Sequence, residues 1–153
     1  MIKVYVRAIV ATKTSFVLLG EQDKTGKQTW DLPGGELQAG QDMRELLTKL
    51  VLQNTGYAIT NLKFFEIVCR LKPRTRSEQP VTVIDFIFTS EVTSEPPEPA
   101  SEDIDLLDFE KFEWLASGGQ FHLNKVMSLL TKYHKKHINT HDSRLRVIEE
   151  PDA

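Results

Sequence analysis

Hydrophobic and polar residues alternate from the start of the chain. Ile2, Val4 and Val6 are interleaved with Lys3, Tyr5 and Arg7, the period-two pattern of a strand with one buried face, and the apolar stretch continues through Ala11. Phe16 to Leu19 predicts a second strand, and Asp23 to Gln28 (DKTGKQ), built on Gly26, predicts a hairpin turn. Leu62 to Leu71 (LKFFEIVCRL) and Val81 to Phe88 (VTVIDFIF) are rich in β-branched and aromatic residues. Such residues fit a pleated, half-buried surface, so the two runs predict central strands. KPRTRSEQP between them has the composition of an exposed hairpin loop. Ser94 to Asp105 (SEPPEPASEDID) mixes prolines with acids and predicts a solvated loop with no regular element.

The period becomes helical in two places. After Met43, the residues Leu46, Leu47, Leu50 and Val51 fall on one stripe, and Asp42 followed by Glu45 forms a capping-box signature. A helix is predicted from near Asp42 to Gly56, a residue suited to the left-handed conformation that stops a helix. Leu123, Val126, Met127, Leu130 and Tyr133 form a second apolar stripe that runs into the basic KYHKKH. Residues 139–153 carry little helix signal, and a tail is expected there, mobile or packed as a short strand at Leu145 to Ile148. The chain is thus expected to be a single domain over residues 1–138 followed by that tail.

Composition narrows the class. With 153 residues, 40% hydrophobic and 27% charged, the chain can organise one core and is far from the polar composition of a disordered protein. A formal charge of −3 argues against a surface that neutralises many phosphates, so nucleic acid is not an expected partner. Cys69 is the single cysteine, which excludes an intrachain disulfide and a cysteine zinc cluster and fits a reducing, cytoplasmic setting. Lys3, Arg7 and Lys13 interrupt the apolar N-terminus, leaving neither a signal-peptide core nor a membrane span.

The chemistry concentrates around Pro33-Gly34-Gly35. Adjacent glycines let the backbone approach an anionic ligand, and a following helix N-terminus could present N–H groups and partial positive charge to phosphate. Alone, that turn is weak evidence. The longer pattern is specific: Trp30-Asp31-Leu32-Pro33-Gly34-Gly35-Glu36-Leu37, then Gly40, then a capped helix ending Leu52-Gln53-Asn54-Thr55-Gly56-Tyr57 resembles the Nudix (MutT-like) hydrolase family. The family box reads glycine, five residues, glutamate, seven residues, then arginine-glutamate-aliphatic-any-glutamate-glutamate-any-glycine-aliphatic. With Gly35 at the first glycine, Gly56 falls at the last without a gap.

The resemblance extends to the early strands, the two apolar strands after the box, Phe109 to Leu115 and the final amphipathic helix. It implies an α/β/α sandwich with a mixed central sheet, Mg²⁺ or Mn²⁺ as cofactor, and hydrolysis of a nucleoside-linked diphosphate. Hard divalent cations require oxygen ligands, preferably charged ones. Here Gln41 stands at the first box glutamate, Lys49 at the arginine, Leu50 at the next glutamate, and Gln53 and Asn54 at the metal-ligating pair. Metal binding is therefore expected to be weak or absent. The favoured expectation is a protein that binds a nucleotide or related phosphate ligand with little or no hydrolysis, through Gly34, Gly35 and Trp30. The alternative is a divergent metal-dependent pyrophosphohydrolase that recruits Glu36, Glu102 or Asp103. A protein-interaction domain is a third, weaker reading, and family analogy makes a homodimer unsurprising.

Each candidate has a plainer reading. Glu36 could approach a metal held by the Gly34 carbonyl, or simply be a solvent-facing loop acid. Glu102, Asp103 and Asp105 lie in the stretch that the resemblance brings near the substrate, and they equally suit a solvated acidic loop. His134, His137 and His141 are spaced to share a helical face, which raises a metal reading; beside Lys132, Lys135 and Lys136 a solvated basic helix end is plainer. Trp30 and Phe65 could stack on a base, although aromatics beside strands usually belong to a core.

Overall fold

Strand β1 (Ile2–Ile9) lies inside a mixed four-stranded sheet whose order is β4 (Gly34–Glu36), β1, β6 (Val81–Ser94) and β5 (Ala58–Lys72). In the computed structural model, which describes residues 1–22, 25–26, 28–72, 79–98, 100–117 and 125–138, β1 pairs antiparallel with β4 (Gly34–Glu36) and parallel with β6 (Val81–Ser94). β6 in turn pairs antiparallel with β5 (Ala58–Lys72). A second, antiparallel sheet of order β3-β2-β7 joins β2 (Ser15–Gln22), β3 (Gln28–Asp31) and β7 (Ile104–Asp108). The predicted hairpin is the β2–β3 pair.

The alternation at the N-terminus does what its period requires. Val6 and Ala8 of β1 and Phe88 of β6 are buried in one cluster with Leu47 and Val51, joined by Val10, Val17, Tyr57, Ile59 and Ile104. Leu47 and Val51 belong to helix α1 (Met43–Thr55), whose ends match the sequence signals. Asp42 Oδ1 accepts from the Glu45 N–H at 3.0 Å, and Gly56, at φ 81°, donates its N–H to the Leu52 carbonyl at 2.9 Å. Both caps satisfy backbone groups that the helix leaves open at its ends.

Two expectations about the strands need correction. β5 is not central: among the described residues it closes the sheet on one side. A run of apolar residues reports strand propensity and leaves open which edge a neighbour covers, and here Phe64, Ile67 and Leu71 remain 52%, 52% and 79% exposed. The acidic loop is also shorter than expected, because β6 extends to Ser94 and β7 already begins at Ile104. Ile104 is buried, and its side chain pulls the end of the loop into the sheet.

The chain divides into two compact units, Met1–Asp108 and Phe109–Ala153. The second contains α2 (Phe109–Ser117), a helix that the hydrophobic pattern did not announce, then α3 (Lys125–Tyr133) and a π-helical turn, His134–Ile138. Leu130 and Tyr133 are buried, as the apolar stripe predicts, Val126 is half-buried, and Leu129, outside that stripe, is buried as well. His134 is buried too, against the expectation of a solvated face. Its ring packs beside Phe109 and Phe112, and Nε2 lies 2.8 Å from Glu113 Oε1. The His137 side chain, His141, Leu123 and the expected tail at 139–153 lie outside the described residues. Among the described residues, no helix is long and apolar enough to cross a membrane.

Candidate functional site

The glycine turn is held by close backbone packing and by an ion network. A Cβ at Gly34 would collide with the Val6 carbonyl oxygen, and one at Gly35 would come within 2.9 Å of Leu50 Cδ1 on α1. Position 34 therefore requires the residue without a side chain. Arg7 Nη1 donates to the Leu32 carbonyl at 3.0 Å and lies 3.3 Å from Asp31 Oδ2, which secures the approach to the turn. Arg7 is in turn held through Nε by Asp85 Oδ1 at 3.3 Å, and Asp85 Oδ2 receives Arg70 Nε at 2.8 Å. Asp85 is 4% exposed. A carboxylate buried this deeply is tolerable because two guanidinium groups share it. Local pattern does not announce this trio; its one trace in the sequence is a lone aspartate inside the apolar run VTVIDFIF.

Helix α1 meets the turn with its C-terminal half. Asn54 Nδ2 donates to the Gly34 carbonyl oxygen at 3.2 Å. This overturns the expectation that a helix N-terminus faces the turn. Gly34–Glu36 is itself a strand paired with β1, and α1, packed by Leu47 and Val51 against that sheet, brings its last turns back to Gly34. The helix dipole at this end favours positive rather than negative charge.

A cleft of about 540 Å³ opens here, lined by Leu19 and Gly20 of β2, Gln53 and Asn54 of α1, and Ala100, Ser101 and Asp103. The Asp103 N–H donates to Ser101 Oγ at 3.3 Å and its carbonyl accepts from Gly20 N, which ties the loop to β2. Of the acids singled out in the sequence, Asp103 thus lines the cleft beside Gln53 and Asn54. Glu102 is exposed in the same loop. Asp105 Oδ2 accepts the indole N–H of Trp30 at 2.8 Å, an interaction that fixes the ring across β2. Glu36 is exposed on β4 opposite Tyr5, so it is a strand residue and not a loop acid. Since Gly35 faces α1, alternation turns Glu36 to the other face of the sheet. Phe65 is the extra residue of a bulge in β5.

Comparison with known proteins gives a consistent answer. The family model for the NUDIX domain matches residues 1–130. The chain belongs to the Nudix family. Among solved structures, a NUDIX hydrolase from Nitrosomonas europaea aligns with TM-score 0.62 at 19% identity, covering 88% of this chain and 89% of that one. A protein described as an ADP compounds hydrolase aligns with TM-score 0.56 at 13% identity over 88% and 74% of the two chains. A MutT NUDIX hydrolase from Burkholderia pseudomallei aligns with TM-score 0.54 at 14% identity over 70% and 83%. At these identities the likeness shows the fold, the Nudix-type α/β/α sandwich with a mixed sheet. No curated protein sequence matches the chain.

The Nudix box positions now have observed neighbours. Gln41, at the first glutamate, accepts the Gln38 N–H on Oε1 at 2.8 Å and closes a turn. Leu50 packs against Gly35. Lys49 borders a different groove with Arg44, Thr48 and Leu52. Gln53 and Asn54 remain at the cleft with neutral amides. The family's divalent cation would find a poor fit: Asp103 brings a carboxylate to the cleft, but Gln53 and Asn54 bring no charge, and the Asn54 amide hydrogen already points at the Gly34 carbonyl. Among the described residues, no group of three or more His, Cys, Asp or Glu side chains is placed to hold a metal ion.

Proposed function

We propose that this Nudix-fold protein binds a nucleotide or related phosphate compound in the cleft between α1 and the Ser101–Asp103 loop, with little or no hydrolysis. The observation that carries the reading is the hydrogen bond from Asn54 Nδ2 to the Gly34 carbonyl. Two acceptors, a carboxylate and a carbonyl, can share that position when a cation sits between them; an amide joins the carbonyl directly and replaces the cation's structural role. Metal-assisted activation of water then loses its anchor.

A cleft of about 540 Å³ is of a size that takes a small molecule. Gln53, Asn54 and Ser101 offer neutral donors and acceptors, and the helix end gives phosphate no help. Recognition therefore falls mainly on the nucleoside or other uncharged part of the ligand, and divalent cations contribute little to it. The fold shared with an ADP compounds hydrolase makes ADP-linked compounds sensible first probes. The net charge of −3 makes nucleic acid a poor partner, and a single cysteine fits a cytoplasmic setting.

The test is calorimetry with ADP, ADP-sugars and dinucleoside polyphosphates, with Mg²⁺ and again with a chelator, alongside phosphate-release assays. Binding that survives the chelator without turnover is expected. Metal-dependent turnover at enzymatic rates, lost in Asp103→Asn, would establish instead the divergent hydrolase, a reading favoured by the placement of Asp103 beside Gln53 and Asn54.

A further inference from the structure

The cleft between α1 and the Ser101–Asp103 loop presents hydrogen-bond acceptors in excess. Asn54 commits an amide hydrogen to the Gly34 carbonyl at 3.2 Å, which leaves its Oδ1 as an acceptor on a residue that lines the cleft. Asp103 adds a carboxylate, and its backbone is anchored. The Asp103 carbonyl receives the Gly20 N–H at 2.6 Å, its own N–H donates to Ser101 Oγ at 3.3 Å, and the neighbouring Ile104 is buried. Gln53 contributes an exposed amide that can donate or accept. Among the described residues that line the cleft, none carries a positive charge.

Such a lining does not suit a phosphate group. The Asp103 carboxylate repels it, and the C-terminal end of the α1 dipole adds partial negative charge. Nor does it suit a divalent cation, for which one carboxylate and neutral amides are a poor ligand set. What it does complement is a neutral group with N–H donors. Leu19 and Ala100 add apolar surface against which a flat ring can lie.

We propose, on the reading that this cleft takes a nucleotide, that it selects amino-substituted bases. The exocyclic amine turns to Asp103 and Asn54 Oδ1, and the phosphates point out of the cleft, away from α1. Adenine and cytosine share the deciding edge, an amine donor beside a ring-nitrogen acceptor, and Gln53 Nε2 donates to that ring nitrogen. Carboxylates accept from amino bases, and side-chain amides pair with an edge that offers one donor and one acceptor. In hypoxanthine and uracil the edge is reversed: a carbonyl replaces the amine, and the ring nitrogen carries a hydrogen. An amide such as Gln53 can turn over to meet the reversed edge. A carboxylate cannot, because both of its oxygens accept. Asp103 is therefore the residue that determines specificity.

Titration calorimetry on the full chain, in chelator, with ADP, IDP, CDP and UDP tests this, because ADP and IDP differ only in the base, as do CDP and UDP. ADP is expected to bind about tenfold or more tighter than IDP, and CDP than UDP. Asp103→Asn replaces the fixed acceptor by an amide that can turn over, so both preferences should shrink through a gain for IDP and UDP. A general loosening of the loop would weaken every ligand and produce no such gain. Equal affinities in the unaltered protein, tighter binding of IDP and UDP, or preferences that survive Asp103→Asn overturn the proposal and leave the nucleotide reading standing. No binding of any of these nucleotides up to about 1 mM overturns both.

Discussion

Asn54 on α1 and Gly34 in the glycine turn, twenty residues apart, are joined by a single hydrogen bond of 3.2 Å from Nδ2 to the backbone carbonyl. The resemblance to the family box sets a glutamate at this position, and an amide here differs in more than charge. It gives the helix and the turn a direct neutral link.

Replacing that amide by the box residue should expose the difference. Asn54→Glu loses the donor and sets a carboxylate against a carbonyl, which should destabilise the fold by about 1–3 kcal/mol. Added Mn²⁺ or Mg²⁺ should recover part of the loss in the variant and leave the parent's melting temperature unmoved. Thermal denaturation with and without metal checks both arms; equal metal responses would contradict this account.

Asp85 is buried between Arg7 and Arg70. Asp85→Ala leaves two guanidinium groups facing a half-buried site without their shared anion and should cost about 3 kcal/mol, near the lower bound for breaking a buried pair because Arg70 is partly solvated. Arg70→Met should cost about 1 kcal/mol or less. Urea unfolding of the two variants ranks them, and a reversed order would show that Arg70 and not Asp85 anchors the network.

Glycines in the box region should differ sharply. Gly40, at φ 85°, has open space where a Cβ would stand, so Gly40→Ala should cost about 1 kcal/mol in backbone strain alone. Gly34→Ala must displace the Val6 backbone and should cost about 3 kcal/mol or more. Comparable urea midpoints for the two variants would refute the close approach of β4 and β1 at this point.

Alkaline pH should unfold the protein through its buried phenols. Burial raises Tyr133 above its ordinary value of 10.0, and burial followed by the charge of Glu95 raises Tyr57. Both groups are neutral when protonated, so the unfolded chain ionises first. Their contribution is complete below pH 10.0 and is lost as pH climbs through the folded values. Stability measured from pH 9 to about 11.5 should fall, and Tyr133→Phe should flatten part of that slope. An unchanged slope would assign the loss to other groups.

Features that depend on near neighbours are legible in the residue order. The bounds of α1 were readable from Asp42 and Gly56 because each cap closes a hydrogen bond within a few residues, and β1 was readable because alternation directly encodes one buried face. The box spacing identified the family for the same reason: it is a local register of turn and helix. Which surfaces meet follows from long-range packing instead. It placed the C-terminal half of α1 and not its start against Gly34, gave Asp85 its two arginines from β1 and β5, buried His134 beside Phe109 and Phe112, and, among the described residues, left β5 at a sheet edge although its composition resembles a central strand. These outcomes are set by packing between segments dozens of residues apart, where many arrangements satisfy the same local pattern and burial of the shared core selects among them.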